Sequence, residues 1–325
     1  MAVTLYKTLC LPVTLYSAWK AVKLKNSAGG VDGFSVSEFE EKLKVNLETL
    51  RRELIDKSWN PEPYLQVEIA KKENEKRKLG LLSIRDKIVQ QAIKMLVEPR
   101  MDKMFLSNSY GYRPGKGPLR TIHRVVDLFN RQKSGWVAKL DIDNYFDTIP
   151  HERLFTRLQD QLKDNEMVRL IELCMKTGVV TARMKWNETT KGLPQGAVLS
   201  PLLANFYLHP FDQFMISKLS GYVRYADDFI VVADTKEQIE GIVELLKEEL
   251  DKNFLLKLNI PIIKNLEDGI EFLGITIKHS GLSLSEKKKA DLFERINTID
   301  LYGAELSLKS METWQGIKNY YARVC

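Results

Sequence analysis

The sequence predicts an α+β chain organised on a split βαβ sheet, and three stretches carry that expectation. "GWVAKLDIDNYFD" (135–147) reads as a glycine-led strand that runs into acidic residues. "YVRYADDFIVVA" (222–233) has strand formers on both sides of a polar centre, the pattern of a tight hairpin bending at Ala226 and Asp227. "GIEFLGITI" (269–277) reads as a further strand. Helical patterns separate them, and strand, helix, hairpin, helix, strand is the order of a split βαβ sheet with helices on one face.

The helices follow from apolar spacing. Leu43, Leu47, Leu50 and Leu54 put a helix over 36–57, and 86–104 reads as another. Between them lies an extended stretch interrupted by the basic run "KKENEKRK" (71–78). Segment 198–218 forms a buried helix if Pro201 lies in its first turn, where the missing N–H costs nothing. Ile239, Ile242, Val243, Leu246 and Leu250 form one stripe of a helix over 235–252. Its start offers two capping boxes, Asp234 with Glu237 or Thr235 with Gln238.

Bulk composition narrows the function classes. The chain has 325 residues, 28% of them charged, and a net charge of +6. That excess suits a polyanionic partner. Cys10, Cys174 and Cys325 are far apart with no metal-ligand spacing, which suits a reduced, cytoplasmic protein without structural zinc. Two stretches imitate membrane segments. "TLCLPVTLYSAW" (8–19) contains Pro12, lacks a small-residue cleavage site and runs into "KAVKLKN", so a soluble helix is expected. "GLPQGAVLSPLLANFYLHPF" (192–211) has no formal charge, but three prolines, a Gln, an Asn and a His argue against a span.

The chemistry centres on Asp227 and Asp228. Adjacent carboxylates in an apolar run repel and are costly to bury, so the pair sits in a solvated turn or holds a cation. Asp141 ends a strand that a split βαβ sheet places beside the hairpin, so the three can converge. With no His or Cys nearby they suit Mg²⁺, or Mn²⁺ as an alternative. Two such ions about 3.5–4 Å apart can clamp both oxygens of an in-line phosphoryl displacement.

"YADD", "AKLDIDNYFDTI" and "GLPQGAVLSPLLANFYL" together resemble a bacterial reverse transcriptase of the group II intron-like lineage. The resemblance continues in "GGVDGFS" (29–35), "RKLGLLSIRDKIVQQAI" (77–93), "SYGYRPGKG" (109–117) and "IEFLGI" (270–275), in family order over about residues 28–280. It implies a right-hand polymerase: an N-terminal extension and fingers at 1–134, a palm at 135–283 with part of the fingers inserted at about 152–190, and a short helical thumb at 284–325. Asp141, Asp227 and Asp228 would hold two metal ions. Phe146 would be the steric gate against a 2′-hydroxyl, and Gln195 would lie beside the incoming nucleotide and template. Lys71 and Arg77 would grip the triphosphate, and Lys264 would approach the leaving pyrophosphate, although Asn265 stands where the family usually has Thr. Arg113 reads as structural, and Tyr225 either supports the primer end or packs the hairpin. A solvated charged face is the competing reading of "KKENEKRK", and a core aromatic that of Phe146.

The implied reaction is RNA-directed DNA synthesis from a DNA or RNA primer. In RNA-copying RNA polymerases the position of Phe146 is usually acidic, so the ring favours deoxynucleotides. "QGAVLSP" resembles the group II branch, not the diversity-generating or retron branches. About 48 residues follow "IEFLGITI", including Lys287, Lys288, Lys289, Arg295 and "WQGIKNYYARVC". A mobile intron protein would continue with maturase and endonuclease regions, so the expectation is a host-adapted enzyme, CRISPR-associated or antiviral, with a structured RNA or a defence protein as partner, or a truncated chain. Untemplated or self-primed synthesis and a non-catalytic nucleic-acid-binding scaffold stay open as other readings.

Overall fold

A computed structural model describes residues 4–70, 76–132, 134–181, 186–187, 189–219 and 221–290. The N-terminal half runs α1 (Leu5–Leu9), α2 (Pro12–Lys25), α3 (Val36–Glu41), α4 (Leu43–Ile55), β1 (Tyr64–Ala70), β2 (Lys76–Leu81), α5 (Ile84–Asp102), α6 (Pro118–Arg131) and β3 (Trp136–Asp141). Then come α7 (Tyr145–Thr148), α8 (His151–Leu162), α9 (Asn165–Lys176), β4 (Val179–Thr181), β5 (Trp186–Asn187) and α10 (Ser200–Lys218). The remainder is β6 (Tyr222–Tyr225), β7 (Asp228–Ala233), α11 (Lys236–Glu249), a π-helical turn (Leu250–Phe254), β8 (Ile262–Asn265), β9 (Ile270–Phe272), β10 (Ile275–Lys278) and β11 (Gly281–Leu284).

The chain forms two compact units. One comprises the chain up to Phe105 together with Asn144–His209; the other comprises Leu106–Asp143 and the chain from Pro210 onward.

The first unit holds a four-stranded sheet in the order β2-β1-β4-β5. The stretch 60–84 closes into the antiparallel pair β1–β2, and β1 also runs parallel to β4. Helix α5 starts at a Ser83 cap whose hydroxyl accepts from the Asp86 N–H, and its apolar residues Ile84, Ile88, Val89, Ala92 and Ile93 are fully buried. The helix expected over 36–57 breaks at Lys42 (φ −119°, ψ 32°), because α3 and α4 are separate elements. Only Leu50 and Leu54 of the four leucines are deeply buried.

The second unit holds the split βαβ sheet, in the order β6-β7-β3-β8. All three pairings are antiparallel, so β3 runs parallel to β6 with β7 between them, and β7 parallel to β8 with β3 between them. Ile122, Val125, Leu128 and Phe129 of α6 pack on one face against Val137, Val223, Ile230 and Val232. Phe229, on the other face, meets the ring of Phe211 at 5.7 Å between centroids. Thr235 with Gln238 is the capping box that forms at α11, and Ile239, Val243, Leu246 and Leu250 are buried while Ile242 is half-buried.

Two strand expectations need correction. The last strand of the sheet is the short β8, not 269–277. The latter segment splits into β9 and β10 because Leu273 (φ 51°) and Gly274 (φ 81°) are both left-handed, and with β11 it makes a separate three-stranded sheet. The strand over 135–147 stops at Asp141, since Asn144 (φ 45°) turns the chain into the single helical turn α7. Of the expected thumb, 284–290 is described and the rest, with Arg295, lies outside the described residues.

The uncharged 192–211 stretch has a simple cause: Leu202 to Tyr207 of α10 are all buried, as are Leu208, His209 and Phe211. Among the described residues no helix is long and apolar enough to cross a membrane.

Asp86 yields a prediction on stability. It is 2% exposed, its Oδ2 accepts from the Glu62 N–H at 2.8 Å, and burial raises its pKa from 3.8 to about 7. The native state therefore holds a proton that the unfolded state has lost between those values, so stability falls as pH rises through that window. Asp86→Asn removes this dependence. In urea titrations the variant should gain on the parent from pH 5 to pH 8 by roughly 2–4 kcal/mol; a constant difference would contradict the assignment.

Candidate active site

The sheet register brings two of the three aspartates together. Asp141, the last residue of β3, lies opposite Asp228, the first of β7. The Ile142 N–H donates to the Asp227 carbonyl at 3.3 Å, which makes 142–227 a hydrogen-bonded pair and 141–228 the non-bonded one. In such pairs the Cα atoms are about 4.5 Å apart and the side chains share a face. Asp227 itself occupies the bend with Ala226, whose φ of 58° is left-handed.

That bend is clamped from behind. Arg224 is fully buried and makes a bidentate pair with the fully buried Asp212 of α10, Nε to Oδ1 at 2.7 Å and Nη2 to Oδ2 at 2.5 Å. Nη1 donates to the Ala226 carbonyl at 2.8 Å and Nη2 to Ser109 Oγ at 2.8 Å. The Tyr222 hydroxyl donates to Asp212 Oδ1 at 2.6 Å. Main-chain bonds from Arg224 N–H to the Asn108 carbonyl and from Tyr110 N–H to the Arg224 carbonyl hold the edge of β6. Gly111 completes the clamp, since a Cβ there would lie 2.4 Å from the Ala226 nitrogen. Arg113 is structural: its Nη1 donates to the carbonyls of Leu106 and Ser109. Tyr225 packs with the hairpin core and meets the Tyr112 ring at 6.4 Å.

The carboxylates have internal partners. Asn259 Nδ2 donates to Asp141 Oδ2 at 2.6 Å, and the Asn259 N–H donates to the Asp141 carbonyl at 2.9 Å. The Asp143 N–H donates to the Lys257 carbonyl at 2.8 Å, so 257–259 continues the sheet past β8. The Lys139 ammonium lies 3.6 Å from Asp228 Oδ1. Burial raises the Asp228 pKa, nearby Lys139 opposes the shift, and Asp141 adds to it.

Phe146 and Gln195 belong to the first unit, where they share one substructure. Phe146 is nearly buried in α7, edge-on to Tyr145 with centroids 5.7 Å apart. Its carbonyl accepts from the Leu193 N–H at 2.6 Å, and the Gly192 N–H donates to the Ile149 carbonyl at 2.8 Å. Gly192 (φ 83°) has no room for a side chain, because a Cβ would lie 2.8 Å from the Asp147 carbonyl oxygen. Gln195 Nε2 points at the Asp147 carboxylate, 3.4 Å from Oδ2, and the Gly80 N–H of β2 donates to the Gln195 carbonyl at 2.7 Å. Gln90 of α5 holds the far side of the loop, its Oε1 accepting from the Val198 and Leu199 N–H groups.

Of the three other expected residues, two fall wholly or partly outside the described part. Arg77 lies on β2 opposite Ile69, with its side chain outside the described part, and Lys71 is outside the described residues altogether. Lys264 is exposed on β8 opposite Val137, four residues along β3 from Asp141. At about 3.3 Å per residue that is roughly 13 Å of strand between the two backbone positions. Arg224, Asp212, Asn259 and Lys139 were not singled out in the sequence. A lone arginine in "YVRY" and a lone aspartate in the apolar "LHPFDQF" were the available signal for the first two, since each buried charge needs a partner.

The solved structures show the fold. Telomerase from Candida albicans, in complex with a fragment of telomeric RNA, matches with a TM-score of 0.56 at 11% identity, covering 78% of this chain and 50% of that one. At that identity the likeness is one of fold, the mixed α+β polymerase architecture. The family follows from sequence: the family described as "Reverse transcriptase (RNA-dependent DNA polymerase)" matches residues 69–277. The chain therefore belongs to the reverse transcriptases, the RNA-directed DNA polymerases. Protein YkfC of Escherichia coli is 32% identical, with 75% of this chain and 74% of that protein covered. The group II intron-encoded protein LtrA of Lactococcus lactis is 28% identical, with 85% of this chain and 57% of its own length covered.

The family implies a divalent metal, and the donor set fits one. Asp141 and Asp228 face each other on one side of the sheet and Asp227 adjoins them, an all-oxygen set that hard cations prefer. Among the described residues no three acidic, His or Cys side chains are already drawn to coordination distance. Asn259 and Lys139 each engage one carboxylate oxygen of the pair.

Removing half of the clamp measures its weight. Asp212→Ala leaves the Arg224 guanidinium buried and uncompensated, and chemical denaturation should show a loss of about 3–5 kcal/mol. A loss under about 1 kcal/mol, the range of exposed pairs, would contradict the buried-pair account.

Proposed function

We propose that the chain extends a DNA or RNA primer by adding dNTPs opposite an RNA template, at the face carrying Asp141 and Asp228. The observation that carries this reading is the Asp141–Asp228 pair across β3 and β7, with Asp227 on a clamped bend beside it. Divalent ions, Mg²⁺ or Mn²⁺, would supply charge stabilisation for the attacking and leaving oxygens. The chain's own contribution is positioning: Asp141 and Asp228 are paired at one end of the sheet, with Asp227 on the clamped bend beside them.

Phe146 acts as the steric gate against a 2′-hydroxyl, supported by its fixed place in α7 and its bond to the "LPQG" loop. Gln195, borne on that loop, lies beside the nascent pair. Lys71 and Arg77, in and beside the β1–β2 connection, grip the triphosphate. Lys264, exposed on β8 and four residues along the strand from Asp141, approaches the leaving pyrophosphate rather than the carboxylates themselves. In these terms the first unit's β1–β2 region is the fingers, the split βαβ sheet the palm, and the segment after β11 the start of the thumb. The template–primer duplex is gripped through its backbone, so affinity falls with salt and depends little on sequence. The free, buried thiols of Cys10 and Cys174 suit a reducing, cytoplasmic setting.

The test is primer extension on an RNA template with Mg²⁺. Asp227→Asn should lower the rate by about a hundredfold or more; undiminished synthesis would sink the assignment. In the same assay Phe146→Ala should relax discrimination against ribonucleotides by about ten- to a hundredfold. Unchanged discrimination would return Phe146 to the role of a core aromatic.

A further inference from the structure

We propose that Lys139 is a built-in countercharge of the carboxylate site, holding Asp228 and weakening the site's own affinity for divalent cations. The inference rests on reading Asp141, Asp227 and Asp228 as a cation site. Lys139 and Asp141 are two residues apart on β3, so they project from the same face of the sheet. Across the strand, Asp228 faces Asp141 and Ile230 faces Lys139. On the other side Ile262 of β8 pairs with Lys139. The lysine stem therefore leaves the sheet between two isoleucines, and its ammonium reaches diagonally to Asp228 Oδ1 at 3.6 Å.

This contact differs from a surface ion pair in where its charge lies. Both side chains are less than one-third exposed, and a second carboxylate, Asp141, stands directly opposite the one engaged. Two carboxylates on neighbouring strands repel, and a single positive charge on the same face offsets that repulsion. A divalent cation offers the same compensation with twice the charge, so it and the ammonium compete for one field. Asn259 takes the other side of the pair through Asp141 Oδ2, but as a neutral donor it orients the oxygen without adding charge. Lys139 is thus the charged half of the two devices that hold the carboxylates, and by reciprocity the cation that Lys139 disfavours also weakens the hold of Lys139 on Asp228.

The prediction is counter to the usual effect of deleting a site residue. Removing the ammonium should tighten cation binding. Lys139→Met keeps the stem and drops the charge, Lys139→Gln is a second neutral form with different shape, and Lys139→Arg keeps the charge. The experiment titrates the full chain with Mn²⁺, without nucleic acid or nucleotide, and reads free Mn²⁺ by electron paramagnetic resonance. Lys139→Met and Lys139→Gln should bind about tenfold more tightly than the parent, a modest factor for a like charge this near because a flexible ammonium can swing into water. Lys139→Arg should stay close to the parent. Asp141→Asn, in the parent and in each variant, should weaken binding.

Outcomes separate the inference from the reading beneath it. Binding that responds to Asp141→Asn but is unchanged or weaker in both neutral variants overturns the role of Lys139 alone. Parent binding that is indifferent to Asp141→Asn overturns the carboxylate site, and the inference with it. If one neutral variant fails to fold, seen as a lost thermal transition, the other decides.

Discussion

The buried pair between Arg224 and Asp212 is the constraint on which the rest of the site depends. Two charges out of water are expensive, and their attraction repays that cost only when every remaining donor and acceptor is used. Here the guanidinium spends its donors on Asp212, Ser109 and the Ala226 carbonyl, while Asp212 also takes the Tyr222 hydroxyl. The pair therefore ties α10, the loop before α6 and the hairpin into one object. Its most consequential bond is the one to Ala226, because that carbonyl belongs to the left-handed bend. A bend held from behind cannot relax when the acids in front of it repel.

In front, the same logic runs with less deeply buried charges. Asp141 and Asp228 meet as a non-hydrogen-bonded pair, the closer of the two antiparallel spacings. Asn259 steadies one and Lys139 the other. The three-residue extension of the sheet through Lys257 to Asn259 keeps the end of β3 from fraying just where its last side chain matters. Phe146 follows Asp141 by five residues, and Asn144 makes the turn that ends the strand between them. The "LPQG" loop then closes on α7 through Leu193 and Gly192.

Much of this was legible in the sequence wherever the signal was local. The hairpin at 222–233 was readable from strand formers around a polar centre, down to Ala226 and Asp227 at the bend. Helix α11 followed from apolar spacing, with Thr235–Gln238 one of two boxes that cap chemistry offered, and α10 from an uncharged run with Pro201 in the first turn. What escaped was non-local or set by single φ angles. Leu273 in a left-handed conformation splits an apparently continuous strand, and no apolar pattern announces it. The exposed, four-residue β8 joins the sheet by register alone. Asn259 and Lys139 gain their partners only once β3, β7 and β8 are aligned. Arg224 and Asp212 could have been found as lone charges in apolar surroundings, each implying the other.

The central proposal is that Asp141, Asp227 and Asp228, at the clamped end of the sheet, would hold divalent ions that serve nucleotide addition. Its most direct test is an anomalous difference map from crystals of the chain with an RNA template, a primer, a non-hydrolysable dNTP analogue and Mn²⁺. The expected result is manganese held by the carboxylates of Asp141 and at least one of Asp227 and Asp228, on the face that also carries Lys139. Nucleotide bound with manganese elsewhere, and none at those carboxylates, would contradict it.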